Sequence, residues 1–329
     1  MTGAEDRRAA EYDRAMPTAT ALSRDDVLRA AEAIRGRVHR TPTLSSASLG
    51  PGRWLKAELL QRTGSFKPRG VLNKLAGLTA AERSRGVIGV SAGNHAQALA
   101  WAAAVEGIDA LVVTWQGASE AKVAAARGYG AAVDQAAAGP GDAFGRLEEL
   151  AAETGRVFVH PFDDPVVQAG QGTVGLEIAE DVPGVDTIVV AAGGGGLVTG
   201  IAAACAPLGI RVVAVEPELS PALREGLAAG RPVPVEPRSL ADGLNAPFAG
   251  EHAIAVCAEL GVEVVLVSEE EIAEAMRFLY ARAKLACEPA GAAATAALRS
   301  GRIDGERVVS VVSGGNVDPE TASAILAGR

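Results

Sequence analysis

The sequence predicts an α/β protein built from two doubly wound parallel sheets. Short Val/Ile-rich runs alternate with helical stretches of roughly 10–15 residues, the pattern of parallel βαβ units. The alternation comes in two series, one before and one after about residue 160. Composition agrees, at 48% hydrophobic but only 4% aromatic, with 39 glycines. That suits Ala/Val-rich helices laid on a parallel sheet better than a β-sandwich. A chain of 329 residues has enough core for two such units.

In chain order, residues 1–20 read as a charged, frayed arm. Ser23-Arg24-Asp25-Asp26 resembles a capping box and opens a helix expected to reach about Arg37. After Thr41-Pro42, the segment Arg53–Glu58 reads as a short strand. The first series then offers strands at Val87–Val90, Ala110–Trp115, Ala131–Asp134 and Val157–His160. The second offers Thr187–Ala191, Arg211–Val215, Val262–Val267 and Val308–Val312. With boundaries near 55–60 and 155–162, a small domain (59–156) is expected to be inserted into a large one (1–58 and 157–329). A ligand cleft is expected between them, at the strand C-terminal ends.

Composition also excludes partners. A net charge of −9 argues against nucleic acid. No apolar run reaches the roughly 18 residues of a membrane span, and the amino terminus lacks an apolar signal segment. Cys205, Cys257 and Cys287 have no metal or disulfide spacing and read as buried small residues in a reducing compartment. A cytoplasmic protein acting on a small molecule is the expectation.

Chemistry is expected first at Gln61–Gly70 (QRTGSFKPRG), centred on Lys67. Of 31 basic residues only five are lysines, so each lysine invites its own question: only an amine forms a Schiff base with a carbonyl. Pro68 is tolerated in the first helical turn, which puts Lys67 at a helix start. Helix amides and the flanking Arg62 and Arg69 are expected to lower its pKa.

Three strand ends supply the rest. Ser91-Ala92-Gly93-Asn94-His95 precedes the helix expected at Ala98–Ala104, and its free amides would suit a carboxylate. Asn94 adds a donor for a phenolic or alkoxide oxygen, whereas His95 by itself reads as a loop histidine. Gly193-Gly194-Gly195-Gly196-Leu197 lies between a strand and a helix and can curl around a phosphate. Gly194, Gly196 and Gly200 also approximate a dinucleotide fingerprint, with Glu216 where a ribose-binding acid would sit. However, Thr199 replaces the third glycine of the strict motif. Finally, Ser313-Gly314-Gly315-Asn316 offers a hydroxyl at the last strand's end. A reactive amine, a phosphate cradle and a hydroxyl for a ring nitrogen together describe a pyridoxal 5'-phosphate site. A nucleotide-binding dehydrogenase would leave Lys67 and Ser313 idle.

These stretches, with AKVAAARGYGA (121–131), HPFDDP (160–165), AGQGTVGLEI (169–178) and EPAGAA (288–293), resemble the fold-type II pyridoxal phosphate enzymes. Within these, the resemblance is to the threonine/serine dehydratase and serine racemase family, whose fold is tryptophan synthase beta-like. The resemblance implies that Lys67 bonds the cofactor aldehyde and Phe66 packs beside it. It also implies that Asn94 meets the ring hydroxyl oxygen, Gly193 to Leu197 hold the phosphate, and Ser313 meets the pyridine nitrogen. Ser91, Gly93, Asn94 and His95 would hold the substrate carboxylate. The implied reaction is loss of water and ammonia from a β-hydroxy amino acid to give a 2-oxo acid, in a homodimer or higher homo-oligomer.

Departures from the family pattern narrow this. Racemases of the family carry a serine where Ala92 stands, so racemisation is expected to be weak. The cation site of many relatives is approximated by Glu216-Pro217 and Ser220, but Ala222 replaces its last acid, and no strong metal site is expected. Leu59 and Thr114-Trp115-Gln116 differ from the usual residues and leave serine, threonine, hydroxyaspartate or a hydroxyectoine-pathway substrate open.

Overall fold

The computed structural model describes residues 22–118 and 120–328; the expected amino-terminal arm lies outside them. Two sheets form. The larger has the order β1-β2-β10-β7-β8-β9 and the smaller β5-β4-β3-β6. The strands are β1 (Thr43–Ser45), β2 (Arg53–Lys56), β3 (Val87–Val90), β4 (Ala110–Trp115), β5 (Ala132–Ala137), β6 (Val157–Phe158), β7 (Thr187–Ala191), β8 (Arg211–Pro217), β9 (Glu263–Val267) and β10 (Val308–Val311). Every pairing is parallel except β1 with β2. The two parallel α/β units of the sequence reading are therefore present. β1 was not foreseen: three residues are too few to show an alternation.

The inner strands are continuous apolar runs because helices cover both faces. All five residues of β7 are buried, and β10 is buried throughout. Alanine-rich helices lie on them. In Pro289–Arg299 every residue from Pro289 to Leu298 is buried, which small side chains permit without pushing the layers apart. Two helices approach closely where Gly172 meets Gly200: a Cβ on Gly200 would stand 2.1 Å from the Gln168 carbonyl oxygen.

The smaller sheet draws on residues 87–158 and the larger on 43–56 and 187–311. β6 pairs with β3, so Val157 and Phe158 belong to the small sheet. The capping box at Ser23 and Asp26 is formed, but its helix ends at Ala33 rather than near Arg37, because Gly36 takes a φ of 73° that a helix cannot continue through.

Candidate active site

Lys67 occupies the cap position of the helix Pro68–Ala76, with Pro68 in its first turn. The loop before it is held in place by the far end of the chain. Phe66 N–H donates to the Ser313 carbonyl at 3.1 Å, Gly315 N–H to the Gly64 carbonyl at 2.9 Å, and Leu59 N–H to the Val312 carbonyl at 3.0 Å. Ser65 and Gly314 form an isolated antiparallel bridge. This small ladder continues β10 and sets Ser313 against the residue next to Lys67. The link spans some 250 positions, and no local pattern encodes it.

The Lys67 side chain is partly buried. Its Nζ donates to the Pro161 carbonyl at 2.7 Å and lies 5.1 Å from the Phe66 ring centroid. Burial lowers its pKa from 10.5 to about 8, partly offset by the negative Glu288 nearby. The flanking arginines are not the cause, contrary to the sequence reading. Arg69 turns away and pairs with Glu58 and Glu177. Desolvation is responsible, because an ammonium loses hydration that one carbonyl cannot replace. In cofactor-free protein, acylation of Lys67 should therefore rise with pH about a midpoint near 8, the amine being protonated below it and nucleophilic above. Peptide mapping after brief reagent pulses would measure this, and a midpoint at the ordinary 10.5 would contradict it.

The glycine loop reaches the same place through Phe162, the residue after Pro161. A Cβ on Gly194 would stand 2.3 Å from the Phe162 ring, and one on Gly196 2.9 Å from the Phe162 carbonyl oxygen. A Cβ on Gly193 would press the Leu244 backbone at 3.0 Å, and one on Gly195 would meet the Ala253 methyl at 2.6 Å. Gly195 also has a φ of 94° and caps the helix Gly196–Cys205, whose first residues include Leu197. A side chain at any of these four positions would collide with the neighbouring chain and force the turn out of shape. What remains is a turn of bare amides at the positive end of a helix, which suits a phosphate.

The competing dinucleotide reading fails at Glu216. Its carboxylate accepts from the Leu223 and Arg224 N–H groups at 2.6 and 2.9 Å, so it caps the following helix and faces no ribose. Burial raises its pKa to about 8.

The first strand end differs in detail from expectation. The helix begins at Asn94 and runs to Glu106, four residues earlier than predicted, so Asn94 and His95 lie in its first turn. Gly93 N–H already goes to the Ser91 hydroxyl at 3.0 Å, and the opening amides of the helix have no intrahelical partner. The His95 ring is buried: Nε2 lies 2.9 Å from the Val159 carbonyl, and burial, with the Lys67 charge, lowers its pKa to about 3. It is a neutral packing group, and only its backbone N–H is available to a substrate. Asn94 Nδ2 donates to Glu288 at 2.7 Å, and Asn94 Oδ1 accepts from Asn316 at 2.8 Å.

Lys67, the glycine cradle, Asn94 and Ser313 thus come together, and their chemistry fits an aldehyde, a phosphate, a phenolic oxygen and a ring nitrogen in turn. The sequence reading assigned no role to Glu288, Asn316, Pro161 or Phe162. Glu288 could have been noticed, since a helix cap followed by Pro289 had no need of a buried acid. Among the described residues no cluster of three or more His, Cys, Asp or Glu could hold a metal ion, and no helix is long and apolar enough to cross a membrane.

Comparison with known proteins gives a consistent result. A catabolic L-threonine dehydratase of Escherichia coli K12 is 41% identical over 312 residues, spanning 92% of this chain and 95% of the relative. An L-threonine ammonia-lyase of Thermotoga maritima is 41% identical over 313 residues, spanning 93% and 78%. Among solved structures, maize serine racemase superposes with a TM-score of 0.87 at 34% identity, covering 94% of this chain and 98% of that one. The T.th. threonine deaminase gives 0.85 at 39% identity, covering 90% and 99%. Residues 34–314 match the family described as pyridoxal-phosphate dependent enzyme, and with this site geometry the chain belongs to that family.

Proposed function

We propose that this enzyme is a threonine/serine ammonia-lyase that converts a β-hydroxy amino acid to a 2-oxo acid and ammonia. The observation that carries the reading is the partly buried Lys67 amine, held at the Pro161 carbonyl with its pKa lowered to about 8, beside a glycine turn whose bare amides a side chain would displace. The threonine dehydratase relatives support it.

The residues divide the work. Bound pyridoxal phosphate supplies an electron sink for the carbon that loses its proton. Lys67 would hold the cofactor aldehyde, and its free amine has a basicity suited to taking the α-proton near neutral pH. The backbone of Gly193, Gly194, Gly195, Gly196 and Leu197 binds the phosphate, and Phe66 flanks the ring. Asn94 would donate to the ring oxygen, and the Ser313 hydroxyl would meet the ring nitrogen. A hydroxyl cannot hold that nitrogen protonated as a carboxylate would, so the sink is weaker. That favours prompt expulsion of a β-hydroxyl over transamination. Ser91, Gly93, Asn94 and His95 receive the substrate carboxylate at the helix start, through backbone N–H groups for His95. The small unit (59–156) is inserted into the large one (1–58 and 157–329) with the site in the cleft, and the enzyme works in the cytoplasm as a homo-oligomer.

The test is to supply the holoenzyme with L-threonine and L-serine and to measure ammonia and 2-oxo acid. Equimolar products that grow with time are expected. Holoenzyme that releases neither from L-threonine nor L-serine would overturn the substrate assignment, and hydroxyaspartate turnover and D-serine formation would then be measured.

A further inference from the structure

We infer that Glu288 is a positioning residue that fixes the Asn94 amide so that Asn94 can offer a bound ligand only a hydrogen-bond donor. The inference rests on the reading of Asn94 as the partner of the cofactor's ring oxygen, and it deepens that reading.

The lock is built from both sides. Asn316 Nδ2 donates to the Thr63 carbonyl at 2.7 Å and to Asn94 Oδ1 at 2.8 Å. A backbone carbonyl can only accept, so the Asn316 amide must turn its nitrogen this way, and the atom of Asn94 facing it must be oxygen. The Asn94 nitrogen then faces Glu288 Oε1 at 2.7 Å. An amide nitrogen carries two hydrogens. One goes to Glu288, and the other is left for a ligand.

Glu288 is itself fixed. It is 2% exposed and begins the helix Pro289–Arg299, and its N–H donates to the Gly314 carbonyl at 3.1 Å. A Cβ on Gly314 would stand 2.2 Å from Glu288 Oε1 and 3.2 Å from Asn94 Nδ2. The glycine before Gly315-Asn316 therefore makes room for the carboxyl. Charged neighbours act on it from three directions. Burial and Asp242 push the Glu288 pKa up to about 7, while the Asn94 hydrogen bond, Lys122 and Lys67 oppose this. A carboxyl serves here because, when ionised, it accepts without donating, so the flipped Asn94 amide would set oxygen against oxygen.

A double-mutant cycle on pyridoxal phosphate affinity tests the inference, with cofactor-stripped enzyme titrated by absorbance. Glu288→Ala is expected to weaken binding about tenfold, as loss of a buried charged hydrogen bond predicts. In an Asn94→Ala background the same change is expected to cost less than about threefold, because interacting residues are non-additive. Glu288→Gln retains an acceptor and is expected to stay within about threefold of the wild type. If Glu288→Ala does not fold, Glu288→Met, which keeps the bulk without an acceptor, takes its place in the cycle. Equal losses in both backgrounds would overturn the inference while leaving the proposed function intact. Wild-type protein that binds no pyridoxal phosphate would overturn both.

Discussion

Lys67→Ala is expected to lower ammonia release from L-threonine by about 10³-fold or more, since the covalent anchor and the α-proton base leave together. The holoenzyme's absorbance band near about 410–420 nm, a property of lysine-linked cofactor, should vanish in the same variant. The effect should fall on turnover and not on folding. The amine donates to the Pro161 carbonyl, and its burial works against its own charge. Removing a desolvated ammonium relieves a cost, so the variant should melt no lower than cofactor-free wild type. Turnover that survives in Lys67→Ala would refute the assignment of the base.

The second large effect is on stability and arises two residues away. Arg69 is fully buried. Its guanidinium bonds Glu58 through Nε and Nη2, both at 2.8 Å, Glu177 through Nη1 at 2.7 Å, and the Thr173 hydroxyl at 3.1 Å. Lys56, also fully buried, joins the network by donating to Glu177 at 2.7 Å. The network ties the helix that carries Lys67 to strand β2 and to the helix Pro165–Asp181. Arg69→Ala would strand the Glu58 carboxylate with no counter-charge from the guanidinium, a loss of about 3–5 kcal/mol. Thermal melting of the cofactor-free protein should show it as a large drop or as failure to fold. Arg69→Lys should recover only part, because an ammonium cannot span two carboxylates as the planar fork does. A melting temperature unchanged in Arg69→Ala would contradict this account of the network.

The two substitutions also show which information is local and which is not. Lys67, the four glycines and Ser313 stood out in the sequence because cofactor chemistry demands unusual residues at strand ends, and β7 and β10 announce themselves as uninterrupted apolar runs. The start of the helix at Asn94 was obscured because Ser91-Ala92-Gly93 reads equally as a turn or a first helical residue. The roles of Arg69 and Glu288 were hidden for a different reason. A charged side chain is read as solvated until the structure reveals its burial, and the partners of these two lie 11 to 194 positions away. The cause of the Lys67 pKa shift was misread for the same reason. Adjacent arginines in sequence suggested repulsion, but the fold points Arg69 into a carboxylate cage and leaves dehydration as the cause.

Borohydride reduction of the holoenzyme followed by peptide mass mapping tests the central claim most directly, because it fixes the cofactor to whichever amine holds it. A pyridoxyl group on Lys67 alone is the predicted result. The same group on Lys56, Lys74, Lys122 or Lys284, or on no lysine at all, would contradict it.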